Sequence, residues 1–141
     1  MNEAPRTGPR ERILVVDDEA GIRELLLVLF RKNLYQAVAA ADANDGFTLA
    51  AEVEPAVAIV DYHIAGGGGI NLIRKLREHL PDIRCIFMTA HDAPEYFEQA
   101  LEAGAADTIR KPFDILLLLA KVERLMELRK RERKGVVVRR G

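Results

Sequence analysis

Five polar residues stand just past the ends of short apolar runs, and their types fit one chemistry. Asp17 and Asp18 follow Arg12–Val16, Asp61 follows Val57–Val60, Thr89 follows Ile83–Met88, and Lys111 follows Ala106–Ile109. Carboxylates gathered in one place repel one another, so at neutral pH something must compensate their charge. A hard divalent cation with oxygen ligands does this, and Mg²⁺ takes one or two carboxylates while keeping several waters. Lys111 adds a second positive charge and Thr89 a hydroxyl donor. A cation, an ammonium and a hydroxyl around one carboxylate would stabilise a phosphoryl group placed on it. Phosphoryl transfer asks mainly for in-line positioning and neutralised equatorial oxygens.

The elements that must position these residues are legible in the pattern. Arg12–Val16 is a short apolar run rich in β-branched residues, which suits a strand buried on both faces, and Val57–Val60 and Ile83–Met88 read as the third and fourth strands. Ala37–Ala41 is a weaker second strand and Ala106–Ile109 a short fifth. Between them the spacing predicts helices over Ala20–Leu34, Asn44–Val53, Ile70–Leu80 and Pro94–Ala103, with a long last helix over Asp114–Arg133. Asp42 or Asn44 is the expected cap of the second helix. The expected inward residues are Ile22, Leu25, Leu26, Leu29 and Phe30 in the first helix, and Phe47, Ala50 and Ala51 in the second. Leu72, Ile73 and Leu76 fill that role in the third. Five strands alternating with five helices argue an α/β fold with a parallel, doubly wound sheet. The five-stranded, flavodoxin-like order 2-1-3-4-5 suits a chain this short and puts the carboxyl ends of strands one and three side by side. Asp17, Asp18 and Asp61 then converge at the crevice where such sheets bind ligands.

Composition sets the outer bounds. The chain has 141 residues, 49% hydrophobic and 30% charged, which is room for one globular domain. Its formal net charge of −1 hides an uneven distribution. Lys121 to Gly141 holds nine basic and three acidic residues, while the rest holds twelve basic and nineteen acidic. An acidic body thus carries a basic C-terminal segment. No apolar run approaches the roughly 18 to 20 residues of a membrane span, and Met1–Arg12 lacks the apolar core of a signal peptide. The single cysteine, Cys85, forms no internal disulfide, and three scattered histidines beside it offer no zinc site. A reducing cytoplasm fits this usage. Cys85 itself reads as a small core residue, and Arg74, Lys75, Arg77 and Glu78 as a solvated helix face.

These residues carry a resemblance. Ile13-Leu14-Val15-Val16-Asp17-Asp18-Glu19, Ile59-Val60-Asp61, Phe87-Met88-Thr89-Ala90, Gly104-Ala105 and Lys111-Pro112-Phe113 stand in the order and spacing of a response-regulator receiver domain of bacterial two-component signalling, of the chemotaxis-regulator type, over about Arg12 to Leu128. The resemblance implies that Asp61 is the phosphoacceptor, served by a sensor histidine kinase or phosphotransfer protein in a Mg²⁺-dependent reaction. It implies that Asp18 binds the metal directly, that Asp17 does so largely through water, and that the main-chain carbonyl of His63 completes the site. Thr89 would bond a phosphoryl oxygen, Lys111 would pair with the phosphoryl group, and the Lys111–Pro112 bond would be cis. Such a domain is a signalling phosphoacceptor rather than an enzyme, with self-catalysed phosphorylation and slow autodephosphorylation.

The chain departs from the family pattern in places. Ala65 stands where a proline is usual, and Gly66–Gly69 follows it, so a mobile loop at the mouth of the site is expected. Thr108 stands at the switch position that is usually aromatic, so aromatic flipping cannot be carried over. His63 and His91, two residues after Asp61 and Thr89, occupy positions that tune rates in the family; the competing reading is two exposed loop residues without special chemistry. The expected organisation is a flexible leader over 1–11, a receiver domain over 12–130, and a basic tail or truncated linker over 131–141. The resemblance implies a dimer surface on the face of the fourth helix, fifth strand and fifth helix, while the exposed members of Leu116–Leu119 read either as an interface or as ordinary surface apolarity. A downstream output domain or partner protein would read the switch. The basic stretch Arg129–Lys134 reads as a solvated helix end, and direct nucleic-acid binding is not expected. Two other functions compete. A phosphohydrolase would use Asp61 as nucleophile, but His63 stands where its second acid belongs. A phosphorylation-independent interaction module would leave the five-residue site unexplained.

Overall fold

A computed structural model describes residues 11–91 and 94–133. The expected leader and basic tail therefore lie, except for residues 11 and 131–133, outside the described residues. The elements alternate without exception: β1 (Arg12–Val16), α1 (Ala20–Lys32), β2 (Gln36–Ala40), α2 (Ala43–Val53), β3 (Val57–Asp61), α3 (Gly69–His79), β4 (Arg84–Thr89), α4 (Pro94–Ala103), β5 (Asp107–Arg110) and α5 (Ile115–Arg133). The strands are parallel, in the order β2-β1-β3-β4-β5. This is the sheet expected from the pattern.

Successive side chains of a strand point to opposite faces, and the core divides accordingly. Leu14, Val16, Ala58, Val60, Cys85 and Phe87 pack on one face with Ala50 of α2, Leu72, Ile73 and Leu76 of α3, and Ala100 of α4. Ile13, Val15, Val57, Ile59, Ile86 and Met88 pack on the other with Leu26 and Phe30 of α1 and Leu118, Val122, Leu125 and Met126 of α5. With a helix layer on each side, every residue of β3 is buried. That is why the central strands read as continuous apolar runs. Burial pushes the Cys85 thiol up to about 12, against the opposing charge of Arg77, so it stays an inert core group.

Several local expectations need correction. Helix α1 ends at Lys32, two residues early, because Leu34 turns left-handed at φ 71°. Its N–H bonds Arg31 O at 3.1 Å, and the Tyr35 N–H reaches back to Phe30 O at 3.1 Å, a Schellman closure without glycine. Leu25 is exposed on α1 and Ala51 on α2, so the buried stripes are narrower than expected. Arg77 is not part of a solvated face: its guanidinium donates to Pro81 O at 2.6 Å and Ile83 O at 2.8 Å, tying α3 to the start of β4. Strand β5 runs one residue later than expected, and Leu116 and Leu117 are exposed while Leu118 is fully buried. Asp42 is the cap of α2, its carboxylate accepting the Asp45 N–H at 2.8 Å.

The glycine run is shaped by close approach as well as by turning. Gly66, Gly67 and Gly68 all have φ near +90 to +110°, and the Asn71 side-chain amide donates to Gly67 O at 2.7 Å. Gly69 opens α3 directly against the last residue of β3, where a Cβ would lie 2.1 Å from Asp61 O. Gly69→Ala therefore forces α3 or the end of β3 to move, and urea unfolding is expected to register a loss on the order of 2–3 kcal/mol. Gly21→Ala, with nothing within 4 Å of the added Cβ, is expected to be neutral or mildly stabilising. Equal responses at the two positions would contradict this account.

Candidate functional site

The strand order delivers the polar residues to one edge of the sheet. Asp17 follows β1 and is fully buried, with its N–H on Ala40 O at 3.1 Å. Its Oδ1 accepts the Glu19 N–H at 2.9 Å and its Oδ2 accepts from Lys111 Nζ at 2.7 Å. Asp61 ends β3, and the next residue is held by the Tyr62 N–H on Met88 O at 2.8 Å. Thr89 ends β4, fully buried, and its Oγ1 accepts the His91 N–H at 3.0 Å. Lys111 is anchored by its own N–H on Thr89 O at 2.9 Å, and the Lys111–Pro112 bond is cis.

One ammonium serves three carboxylates. Lys111 Nζ lies 2.7 Å from Asp17, 3.1 Å from Glu19 and 3.3 Å from Asp61. Burial alone would favour neutral lysine, but the bonds to Asp17 and Glu19 and the charge of Asp61 outweigh it and raise its pKa. Asp61 is the group left short. Its pKa is pushed up to about 6, first by burial and then by the Asp17 charge, with Lys111 offsetting only part of this. Asp17, Asp18 and Glu19 place carboxylate oxygens within 4.8 Å of one another. Glu19 was not among the expected site residues, although its position directly after the acidic pair was the available signal. The donor set is all oxygen and under-neutralised, which suits a hard divalent cation.

A cavity of about 250 Å³ opens over this group, lined by Asp18, Glu19, Asp61, His63, Thr89 and Lys111. A larger one, about 490 Å³, lies beside it between α3 and α4, but Asp61, Thr89 and Lys111 do not line it. The Asp18 and Asp61 carboxylates, the Thr89 hydroxyl and the Lys111 ammonium expected from the sequence line the smaller one. A buried carboxylate facing it, with an ammonium at hand, is equipped to act as an oxygen nucleophile whose product gains charge stabilisation. Above the cavity His63 and His91 meet, with their Nε2 atoms 3.1 Å apart. Tyr62 packs edge-on against both imidazoles and against Phe87, and beside Tyr96 of α4. This aromatic cluster was not anticipated. Its signal was the equal offset of the two histidines from the ends of neighbouring strands.

The family model for the response regulator receiver domain matches residues 13–123. The chain is 33% identical to the sporulation initiation phosphotransferase F of Bacillus subtilis over 119 residues, covering 84% of this chain and 96% of that protein. It is 38% identical over 117 residues to the phosphate regulon transcriptional regulatory protein PhoB of Escherichia coli, covering 82% of this chain but about half of that protein, 51%. Among solved structures, a CheY-like response regulator receiver domain protein of Methanospirillum hungatei superposes with a TM-score of 0.84 at 26% identity, over 88% of this chain and 99% of that one.

The raised Asp61 pKa has a consequence for stability. In the folded protein the carboxyl holds its proton up to about pH 6, against 3.8 in the unfolded chain. Between those values the native state binds more protons, so stability falls as pH rises and the ionised group is a liability above pH 6. In metal-free buffer, Asp61→Asn is expected to raise unfolding stability at pH 7 by on the order of 2 kcal/mol. The difference should close toward pH 4. A variant no more stable than wild type at pH 7 would refute the charge assignment.

Proposed function

The chain belongs to the response regulator receiver domain family, and on that footing we propose that Asp61 accepts a phosphoryl group from a phosphohistidine of a sensor histidine kinase or phosphotransfer protein. The observation that carries the proposal is the position of Asp61: buried at the end of β3, facing the cavity, and only partly neutralised by Lys111. At neutral pH it is largely ionised, so an oxygen lone pair is free to attack phosphorus as the bond to the donor nitrogen breaks. Lys111 stays charged throughout and shifts its attention from Asp17 and Glu19 toward the new phosphoryl oxygens. Thr89 accepts a hydrogen bond from His91 N–H, which leaves its own hydroxyl proton to donate to one of those oxygens.

Asp17, Asp18, Asp61 and the main-chain carbonyl of His63 are the residues that would hold Mg²⁺, and the oxygen-rich, electron-rich donor set supports this. When bound, that ion supplies charge neutralisation for the transferring phosphoryl group and for the carboxylates.

The output is a surface change. Drawing the Thr89 hydroxyl into the cavity breaks its bond to the His91 N–H, and His91 in turn touches His63, Tyr62 and Tyr96. Thr108, half-buried on β5, has no ring to flip, so the displacement reaches α4 through this cluster. Leu101 of α4 and Leu116 and Leu117 of α5 stand exposed, and the α4–β5–α5 face is where they would serve. That apolar face is the proposed contact for a second copy, an output domain or a partner protein. The basic end of α5 is partly occupied within the chain: Arg129 pairs with Glu11 at 3.5 Å, Arg131 with Glu127 at 3.9 Å, and Glu132 with Arg84. This supports a helix-end role over nucleic-acid binding. Among the described residues no helix is long and apolar enough to cross a membrane.

Incubation with Mg²⁺ and acetyl phosphate tests the reading by intact mass. Wild type should gain one phosphoryl group, lost on hydroxylamine treatment, and Asp61→Asn should gain none. If neither acetyl phosphate nor any phosphohistidine donor modifies the wild type, the chain acts as a phosphorylation-independent interaction module instead.

A further inference from the structure

The sequence offers no closed zinc motif, since its one cysteine and three histidines are scattered along the chain without ligand spacing. The fold nevertheless brings two of those histidines together. Strands β3 and β4 are neighbours in register, with Asp61 opposite Met88. His63 and His91 each lie two residues past the last residue of their strand, so the two loops meet above the Asp61 cavity. Their Nε2 atoms are 3.1 Å apart, with ring centroids at 5.1 Å and ring planes at 49°. We propose that His63 Nε2 and His91 Nε2 form an open binding site for a divalent transition-metal ion of the zinc, nickel or copper class, separate from the acidic cluster below.

The distance fits. Two imidazole nitrogens each about 2.0–2.1 Å from a shared ion lie roughly 2.8–3.4 Å apart at coordination angles of about 90 to 109°. In the observed hydrogen bond one Nε2 carries the proton. Binding an ion moves that proton to Nδ1 of the same ring, which leaves both Nε2 lone pairs on the metal. Both rings are held in place beforehand. Tyr62 packs edge-on against each at 5.1 and 5.4 Å, the Tyr96 ring lies tilted 5.3 Å from His91, and the His91 N–H is fixed on Thr89 Oγ1. Both histidines are exposed on their outer side, so water completes the coordination. The nearby ammonium, Lys111, is directed to Asp17, Glu19 and Asp61.

Ligand chemistry separates the two sites. Imidazole suits zinc, nickel and copper, whereas Mg²⁺ keeps to carboxylates, carbonyls and water. An ion on the histidine pair joins the loop after β3 to the loop after β4, the two segments that frame the cavity. The third histidine is a built-in control: His79 on α3 packs on Phe47 at 4.9 Å, with its Nδ1 3.0 Å from Lys75 O.

The test is calorimetric titration of Zn²⁺ into the untagged full chain with Mg²⁺ held at saturation and no phosphodonor present. Binding is thereby read independently of whether Asp61 is phosphorylated. Wild type and His79→Ala should share a Zn²⁺ event that survives Mg²⁺. His63→Ala and His91→Ala should each weaken it by at least about tenfold, since losing a direct ligand costs no less than losing its outer-shell support. The His63 main-chain carbonyl is retained in its variant. Should either alanine variant unfold, His63→Gln and His91→Gln serve in its place, with broadening of wild-type NMR signals by Ni²⁺ as a second readout, expected around residues 62, 63 and 91. Zn²⁺ binding that Mg²⁺ abolishes, that both variants retain at full strength, or that wild type lacks would overturn the proposal and leave the pair as a hydrogen bond only.

Discussion

The Lys111 ammonium is the interaction on which the rest of the site depends. It lies within 3.3 Å of the carboxylates of Asp17, Glu19 and Asp61. Its best bond goes to Asp17, at 2.7 Å, on the residue that the fold buries most completely. Asp61 therefore keeps a buried charge that is only partly offset, and its pKa rises where that of a fully paired carboxylate would fall. The imbalance makes the site responsive. Anything that brings positive charge, or that rearranges the negative charge around Asp61, redistributes the bonds of Lys111.

The fold tolerates this frustrated edge because the rest of it is well satisfied. Two apolar layers clamp the sheet, and the central strands β1, β3 and β4 are buried through nearly their whole length. The order of strands places β1 beside β3, so the acidic residues meet without any long loop to carry them. Gly69 lets α3 start in contact with Asp61 O, which fixes the carbonyl end of β3 under the cavity. The buried strands support the edge from below, and in the proposed switch the displacement falls on Thr89, His91 and the aromatic group beside α4.

The sheet order and the identity of its edge residues were legible because both rest on strong signals. Apolar runs of strand length ended at Asp17, Asp61, Thr89 and Lys111, and alternation with helical periods left few topologies. What escaped the sequence was of another kind. The early end of α1 depends on Leu34 adopting a conformation that usually calls for glycine. Arg77 reads as a surface cation until its reach to two carbonyls beyond α3 is seen. Glu19 joined the acidic group through a Lys111 bond that spans 92 residues of sequence. The meeting of His63 with His91 likewise follows from strand register, which no local pattern encodes. Contacts set by pairing between distant segments were hidden, while properties of single segments were not.

The account turns on Asp61 carrying a poorly compensated buried charge, and a carbon-13 NMR titration of its side-chain carboxyl reads this directly. In metal-free buffer the resonance should titrate near pH 6, well above the ordinary 3.8. Saturating Mg²⁺ should drive it back down as the added charge favours the carboxylate. An ordinary carboxyl pKa in metal-free buffer, or one indifferent to Mg²⁺, would contradict the central claim.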